Sequence, residues 1–381
     1  MLSYIIPTRD RAEDLARTLS AIGMIDHTQA FDYFGGVEVI VVDNASRHVP
    51  IVPTKLRGGI PVRALFRASN EGAAARNVAA SSASGRSGNP RHWLVMLDDD
   101  SAPLDGGHFE AIASAPEDVA AIGAEVFIPS KGTGVARESG GLPEVFIGCG
   151  AAIRRSVFLE MGGYDASFGY YAEEYDLCAR LLLGGWRVTW DRRFRVMHQK
   201  VERGRDMNTI VRHLVRNNVC VAQRYAPEAV AFDEIDATIE RYLKIAQKEH
   251  AIAGFDAGLL DLQAMISSQP RREMPMGLWE RFTGLSAASV HLEREARQGV
   301  DRVAFHEPPS AKGAGLVRRA AQHAGIEIVE PGRGERAVLI GTLSPGPMLD
   351  AAARVEADGA RAVQAWSLAA TTAPMALLEA A

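Results

Sequence analysis

The sequence predicts an α/β fold built on a mostly parallel sheet, and three observations carry that prediction. Short runs rich in β-branched residues alternate with helix-spaced patterns through the first two hundred residues, as βαβ units require. Four successive runs stop at polar loops, and open α/β sheets bind ligands outside the carboxyl ends of their strands. The run Val37–Val42 is nearly continuous in apolar residues, as expected of a strand covered on both faces.

Ser3–Ile6 reads as the first strand. It ends in Pro7-Thr8-Arg9-Asp10, and the next segment sets Leu15, Leu19 and Ile22 on one helix face. Val37–Val42 stops at Asp43-Asn44-Ala45-Ser46, Val62–Phe66 before Ser69-Asn70-Glu71-Gly72, and Trp93–Leu97 at Asp98-Asp99-Asp100. A strand over Val145–Ile147 runs into Gly148-Cys149-Gly150, followed by a short helix around Ser156–Met161 and a break at Gly162-Gly163. A helix opens near Glu173-Glu174, and Trp186–Trp190 and Phe194–Met197 read as closing strands, the second ending at His198. Long helical patterns take over from about Asp206, with breaks near Pro227, Pro270 and Pro275. The tail returns to α/β: strands at Val303–Phe305, Ile326–Val329, Ala337–Ile340 and Ala362–Ala365, and helices across Leu316–His323 and Met348–Ala357. The organisation expected is a catalytic domain over 1–205, a helical extension over 206–300 and a small Rossmann-like α/β unit over 301–381.

Composition narrows the function classes. The 381 residues are 47% hydrophobic and 23% charged, ordinary for a globular protein, and the net charge of −5 excludes a chain built to coat nucleic acid. Cys149, Cys178 and Cys220 are odd in number and in no CxxC arrangement, which indicates neither a disulfide framework nor a zinc site and fits a reducing cytoplasm. No run approaches the roughly 18 apolar residues of a spanning helix. Contact with the inner face of a membrane and self-association both stay compatible with this composition.

The acid triplet is the strongest chemical signal. In a strand, residues two apart share a side, so Asp98 and Asp100 would converge on one hard cation, Mg2+ or Mn2+, while Asp99 points elsewhere. An acidic turn is the structural alternative. Pro7-Thr8-Arg9, Asp43-Asn44 and the segment from Asn70 to Arg76 together outline a nucleotide pocket, although each alone also reads as a turn or cap. Neither G-x-G-x-x-G nor G-x-x-x-x-G-K-[ST] occurs in this region, which argues against dinucleotide and P-loop modes. Glu173 and Glu174 lie beside aromatics at a helix start near the sheet's rim, where a carboxylate can deprotonate an acceptor hydroxyl.

With these residues in place, the chain resembles inverting glycosyltransferases of family 2, which have the GT-A fold, and rhamnosyltransferase-like members most. YIIPTRDRAEDLARTLSAI, VIVVDNAS, NEGAAARN, MLDDDSAP and GGYDASFGYYAEEYDLCARLLLGGW carry the resemblance, over roughly residues 1–200. It implies a UDP-, dTDP- or GDP-sugar donor held by Pro7, Thr8, Arg9, Asp43, Asn44, Asn70, Arg76, Asp98 and Asp99. It also implies a divalent cation on Asp98, Asp100 and His198, with Asp100 the most direct ligand, and a carboxylate base. Family members often have Glu-Asp before x-Asp-Leu, whereas this chain has Glu173-Glu174. The base position therefore holds Glu174, with Glu173 and Asp176 as its rivals and Gly150 as a further acceptor-side candidate. The acceptor is a glycan, lipid-linked, small-molecule or peptide hydroxyl.

Two other classes compete. A non-catalytic sugar-nucleotide-binding or assembly protein would keep the fold, and the intact carboxylates argue against it. A sugar-phosphate nucleotidyltransferase usually carries a Gly-rich basic loop after its first strand, and Pro7-Thr8-Arg9-Asp10 has no glycine. Met276–Phe282 reads as buried packing or an amphipathic contact, and Gly341–Pro347 as a turn or an anion-binding helix start.

Overall fold

The first half of the computed structural model follows the alternation of apolar runs; residues 1–85, 88–130, 134–200, 206–309 and 311–368 are described. In order, β1 (Leu2–Thr8), α1 (Ala12–Met24), α2 (Thr28–Phe34), β2 (Val37–Asp43), β3 (Val62–Phe66), α3 (Ala75–Ser82) and β4 (Trp93–Met96) lead to the acid triplet. Beyond it come β5 (Ser101–Pro103), α4 (Gly107–Ala113), β6 (Val119–Pro129), β7 (Val135–Arg137), β8 (Ala151–Arg154), α5 (Arg155–Glu160), α6 (Glu173–Leu183) and β9 (Arg187–His198). These strands form one nine-stranded sheet of order β3-β2-β1-β4-β8-β6-β9-β5, with β7 paired to β6. β1 to β4 are mutually parallel, as are β6 and β9, while β8, β5 and β7 run against their neighbours.

The period of two sorts the side chains to two cores. Leu2, Tyr4, Ile6, Val37, Val39, Val41 and Val95 pack on one face with Leu15, Leu19 and Ile22 of α1. Ile5, Ile40, Val42, Leu94 and Met96 pack on the other with Leu177 and Leu181 of α6. Every residue of β2 is buried, as its continuous apolar run requires. At about 1.5–3 kcal/mol for each fully buried aliphatic side chain, this double burial fixes both the register and the direction in which the strand ends point.

Several elements differ from the sequence expectation. The strand expected at Val145–Ile147 lies instead at Ala151–Arg154; residues 142–150 make only isolated bridges, and Val145 and Phe146 point into the core from a loop. Burial without alternation made that loop look like a strand. The two closing strands are one, β9, whose interior Asp191-Arg192-Arg193 breaks the apolar pattern beside a register shift between Ala124 and Glu125 of β6. The Gly341–Pro347 segment does open a helix, over Pro345–Ala357, but Gly346 packs so that a Cβ there would lie 2.2 Å from Glu138 O. That helix start is closed by protein.

The second half begins with α7 (Met207–Tyr225), α8 (Glu228–Lys248), α9 (Ile252–Met265), α10 (Met276–Thr283) and α11 (Leu285–Arg297). There follow β10 (Arg302–His306), α12 (Ala314–His323), β11 (Glu327–Val329), β12 (Ala337–Ile340), α13 (Pro345–Ala357) and β13 (Ala362–Val363), whose strands make a parallel sheet of order β11-β10-β12-β13. The end of the expected tail unit, 369–381, lies outside the described residues. Trp279 and Phe282 of α10 are buried, so the Met276–Phe282 segment is packing. One apolar cluster runs from α6 through α7 and α10 to Leu343 and Trp366.

A buried ionic knot ties α6 to α7. Asp176 is fully buried and takes Arg224 Nη1 at 2.7 Å, Arg180 Nη2 at 2.7 Å and the Tyr225 hydroxyl at 2.6 Å. Removing one partner from such a pair leaves an uncompensated buried charge, which costs about 3–5 kcal/mol. Arg224→Met is therefore expected to destabilise the protein by that order, read as a lowered denaturant midpoint, whereas Arg212→Met, at an exposed pair with Asp261, is expected to cost no more than about 1 kcal/mol.

Candidate active site

The loops that leave the carboxyl ends of β1, β2, β3 and β4 meet at one end of the sheet and are laced together. Asn44 N donates to Thr8 O at 2.8 Å, Asn44 Nδ2 to Gly72 O at 3.1 Å, and Glu71 N to Asn44 Oδ1 at 2.8 Å. Asn70 Oδ1 accepts from Gly72 N at 3.1 Å and from the Tyr170 hydroxyl at 3.0 Å. Gly72, at φ +59°, lies so close to the chain before α6 that a Cβ would sit 2.2 Å from Gly169 O. Only glycine fits that approach.

These loops enclose a cleft of about 450 Å³ lined by Pro7, Thr8, Arg9, Asn44, Arg76, Asp98, Asp99, Glu173, Glu174 and His198. Arg11, Glu138, Cys149, Tyr171 and Lys200 line it too, and sequence reasoning had not singled out Arg11 or Glu138. Arg11 lies in the quoted stretch after β1 but reads there as a helix-start charge, and Glu138 lies in no motif; each is brought in by tertiary pairing. Five expected residues lie outside the lining, Asp100 among them. Asp43 is buried and accepts from Ser46 N at 3.2 Å, and Asn70 braces Gly72 and Tyr170. Gly150 is packed against Ala124, Val126 and Val196, and Asp176 is locked in its ionic knot. Asp176 and Gly150 are thereby removed as acceptor-side candidates, because no ligand reaches them.

The acid triplet does not follow strand alternation. β4 ends at Met96, and Ser101 N donates to Asp98 O at 3.1 Å, closing a turn over the three acids. The expected same-side pairing of Asp98 and Asp100 is therefore replaced by three separate environments. Asp98 pairs with Arg76, and with its side chain 38% exposed it faces the cleft. Asp99 is buried, accepting from the Thr8 hydroxyl at 2.8 Å and Arg11 Nη1 at 3.0 Å. Asp100 is buried between Arg11 Nη2 at 2.7 Å and His198 Nε2 at 3.3 Å, and belongs to the rear wall rather than the cleft lining. The pairing of Ser101 with His198 between β5 and β9 sets the imidazole there, and Glu138 Oε2 meets its Nδ1 at 3.2 Å.

Electrostatics separates the groups further. Burial pushes Asp99 up to about 7, against the opposing pull of Arg11 and the Thr8 hydroxyl. Burial works against the charge on Asp100 too, but hydrogen bonds from His198 and Arg11 hold it well below the usual carboxylate range. His198 is likewise opposed by burial, yet its bonds to Asp100, Cys149 and Glu138 keep it cationic far above its ordinary value. That signature marks a spot whose surroundings favour positive charge. Oxygen and nitrogen donors of Asp98 and His198 lie within 4.8 Å of each other and of Cys149 Sγ, with Asp100 on the same imidazole. This donor set fits a divalent cation such as Mg2+ or Mn2+ completed by phosphate oxygens, with the ion taking the place of the imidazole's proton. Burial raises the Cys149 thiol, which leaves it protonated and a poor ligand for a hard ion.

The opposite wall is the start of α6. Tyr171 and Ala172 both take left-handed backbone, φ 69° and 63°, an uncommon choice for residues with a Cβ. Asn217 of α7 holds this turn: its buried Nδ2 donates to Phe168 O at 2.9 Å, Tyr170 O at 2.8 Å and Tyr171 O at 2.6 Å. The turn presents Glu173 and Glu174. Burial and the adjoining Glu174 charge push Glu173 far above the usual range, and its Oε2 is buried without a hydrogen-bond partner. Burial raises Glu174 as well, opposed by its own backbone amide and by Lys312.

Asp99 and Asp100 should respond to pH with opposite sign. Asp99, raised above its unfolded value, is more protonated folded than unfolded between about pH 4 and 7, so its contribution to stability is lost as pH rises through that window. Asp99→Asn is expected to gain stability relative to wild type between about pH 5 and 8. Asp100 is depressed, so its contribution is present above about pH 4 and lost in acid. Asp100→Asn is expected to cost about 3 kcal/mol near neutrality and converge on wild type in acid, as read from denaturant midpoints.

No curated protein matches the chain. Among solved structures it is similar to GalNAc-T7 with UDP, GalNAc and Mn2+, at 16% identity over 70% of this chain and 57% of that one, TM-score 0.48. It is similar to the mannosyltransferase PcManGT from Pyrobaculum calidifontis in complex with GDP-Man and Mn2+, at 17% identity over 78% and 82%, TM-score 0.43. It is also similar to S. aureus TarS 1-349 in complex with UDP, at 14% identity over 85% and 88%, TM-score 0.43. The chain thus spans little more than half the length of the first of these. The family model described as Glycosyl transferase family 2 matches residues 3–141, the part of the chain that carries β1 to β4 and the acid triplet.

Proposed function

We propose that the protein is a metal-dependent inverting glycosyltransferase that moves a hexose-type sugar from a UDP-, dTDP- or GDP-sugar to an acceptor hydroxyl. The observation that carries this reading is the single cleft in which Arg9, Asp98, Asp99 and His198 face Glu173 and Glu174. The rhamnosyltransferase-like motifs keep dTDP-sugars among the donors to test.

The chemistry is a single displacement. Glu174 takes the acceptor proton as the acceptor oxygen bonds to the anomeric carbon; the bond from that carbon to the diphosphate oxygen breaks, and its electron pair leaves with the nucleoside diphosphate. Asp98 and His198 would hold the Mg2+ or Mn2+, with Asp100 fixing the imidazole from the rear wall, and the ion when bound would neutralise charge on the diphosphate. Thr8, Arg9, Asn44 and Arg76 line the donor side, with Asp43 and Asn70 shaping the loops beneath. Inversion follows from attack opposite the leaving group.

The choice between the two glutamates rests on their surroundings. Glu173, buried beside a second carboxylate and with an unpartnered oxygen, holds the proton of the pair; Glu174 has Lys312 favouring its ionised form. A neutral Glu173 is mimicked by Gln, whereas an ionised base is not. Glu173→Gln is therefore expected to retain transfer within about tenfold, and Glu174→Gln to lose about 10²–10⁴-fold in kcat with nucleotide affinity intact. Because Glu174 is raised, the acid limb of kcat against pH is expected above the ordinary carboxylate value of about 4.3. The reverse ranking of the two variants would move the base to Glu173.

A further inference from the structure

A second cleft, of about 810 Å³, opens on the far side of α6 between α8 and the carboxyl-terminal module. It is continuous with the first in its lining: Ser139, Tyr171 and Glu174 face both. Glu174 therefore stands where the two spaces meet. Tyr171, Tyr175 and Tyr242 supply aromatic surface, and Arg241 of α8 and Lys312, just ahead of α12, come in from opposite sides.

The charges in this cleft are unequally compensated. At the rim, Lys244 pairs with Glu240 at 2.7 Å and Lys248 with Glu249 at 3.7 Å, while Glu307 is exposed. Among the described residues, Arg241 and Lys312 form no ion pair with a carboxylate. Lys312 donates to the Tyr175 hydroxyl and lies 3.9 Å from that ring's centroid, and the Arg241 guanidinium is 5.7 Å from the Tyr242 ring. Burial pulls the Lys312 ammonium well below its ordinary value, with Arg241 adding repulsion and Glu174 opposing. A guanidinium and a buried amine held against aromatic walls, neither in ion-pair contact with a carboxylate, make a site that a bound anion would complete by favouring the amine's charged form.

We propose that this second cleft is the acceptor subsite and that it takes a hydroxyl acceptor carrying an anionic group, a phosphorylated or acidic saccharide, with Arg241 and Lys312 as ligands of the anion. The proposal rests on the reading of Glu174 as base, since only that reading puts the reacting hydroxyl at the junction. The tyrosines flank the sugar, the two cations fix the anion deeper in the cleft, and the free hydroxyl is turned toward Glu174. The carboxyl-terminal module, through Lys312, is then a part of the acceptor site.

Calorimetric titration of glucose, glucose 6-phosphate and glucuronic acid into the full chain tests this, with and without saturating UDP and Mn2+. At least one charged sugar is expected to bind tenfold or more tightly than glucose in both arms. Lys312→Met, Lys312→Gln and Arg241→Met are each expected to abolish that preference while UDP still binds. A preference confined to glucose 6-phosphate would assign a phosphorylated acceptor, and one shared with glucuronic acid an anionic saccharide in general. Equal or absent binding of charged and neutral sugars, or a preference that survives the substitutions, overturns the proposal. Failure of UDP and Mn2+ to bind, with the charge preference intact, would instead contradict the donor reading.

Discussion

Three consecutive carboxylates at the end of a buried strand are tolerable because cations reach them from three different elements. Arg76 comes from α3, Arg11 from the start of α1, and His198 from the end of β9. Each contact is also a tertiary restraint, so the acid loop acts as the knot on which the β1 loop, the β3-to-α3 segment and the last strand of the sheet converge. The divergent environments of Asp99 and Asp100 follow from it. One carboxylate is buried with too little compensation and rises; its neighbour is compensated from two sides and falls. The cleft side of the loop is left with Asp98, the one member that is substantially exposed.

The second half of the chain acts on the same site from behind. Asn217 satisfies three carbonyls of a turn that would otherwise be strained, and so presents Glu173 and Glu174. Two turns further along α7, Arg224 neutralises Asp176 of α6. In the carboxyl-terminal module, Asp350 of α13 accepts from Arg137 N at 2.8 Å and pairs with its Nη1 at 2.6 Å, next to the Glu138 that meets His198. Lys312 reaches Tyr175 from the same module. The helical extension and the small sheet are thus structural parts of the cleft's walls, joined to it by polar contacts as well as by a shared apolar cluster.

Much of the fold was legible because double burial leaves a strong mark. The runs at β1, β2, β3 and β4 are apolar and end in polar loops, and the loop residues Thr8, Arg9, Asn44, Arg76 and Asp98 do line one cleft. What was not legible depended on long-range pairing. Arg11 looks like any charge at a helix start, and Glu138 sits in no motif; only the pairing of β5 with β9 and β7 with β6 brings Glu138, His198 and Asp100 together. Val145–Ile147 misled because buried loops and buried strands share a composition. The alternation argument for Asp98 and Asp100 failed because the strand ends before the acids begin, and a turn obeys no period of two.

The proposed function requires that the cleft framed by the acid loop and the start of α6 bind a nucleotide sugar through a divalent cation. A panel of UDP-, dTDP- and GDP-sugars, each titrated with and without Mn2+ and followed by thermal stability, measures that claim most directly. The expected result is a rise in melting temperature for one nucleotide class that requires the metal and is lost in Asp98→Ala. No stabilisation by any nucleotide sugar, or stabilisation indifferent to both metal and Asp98, would contradict it.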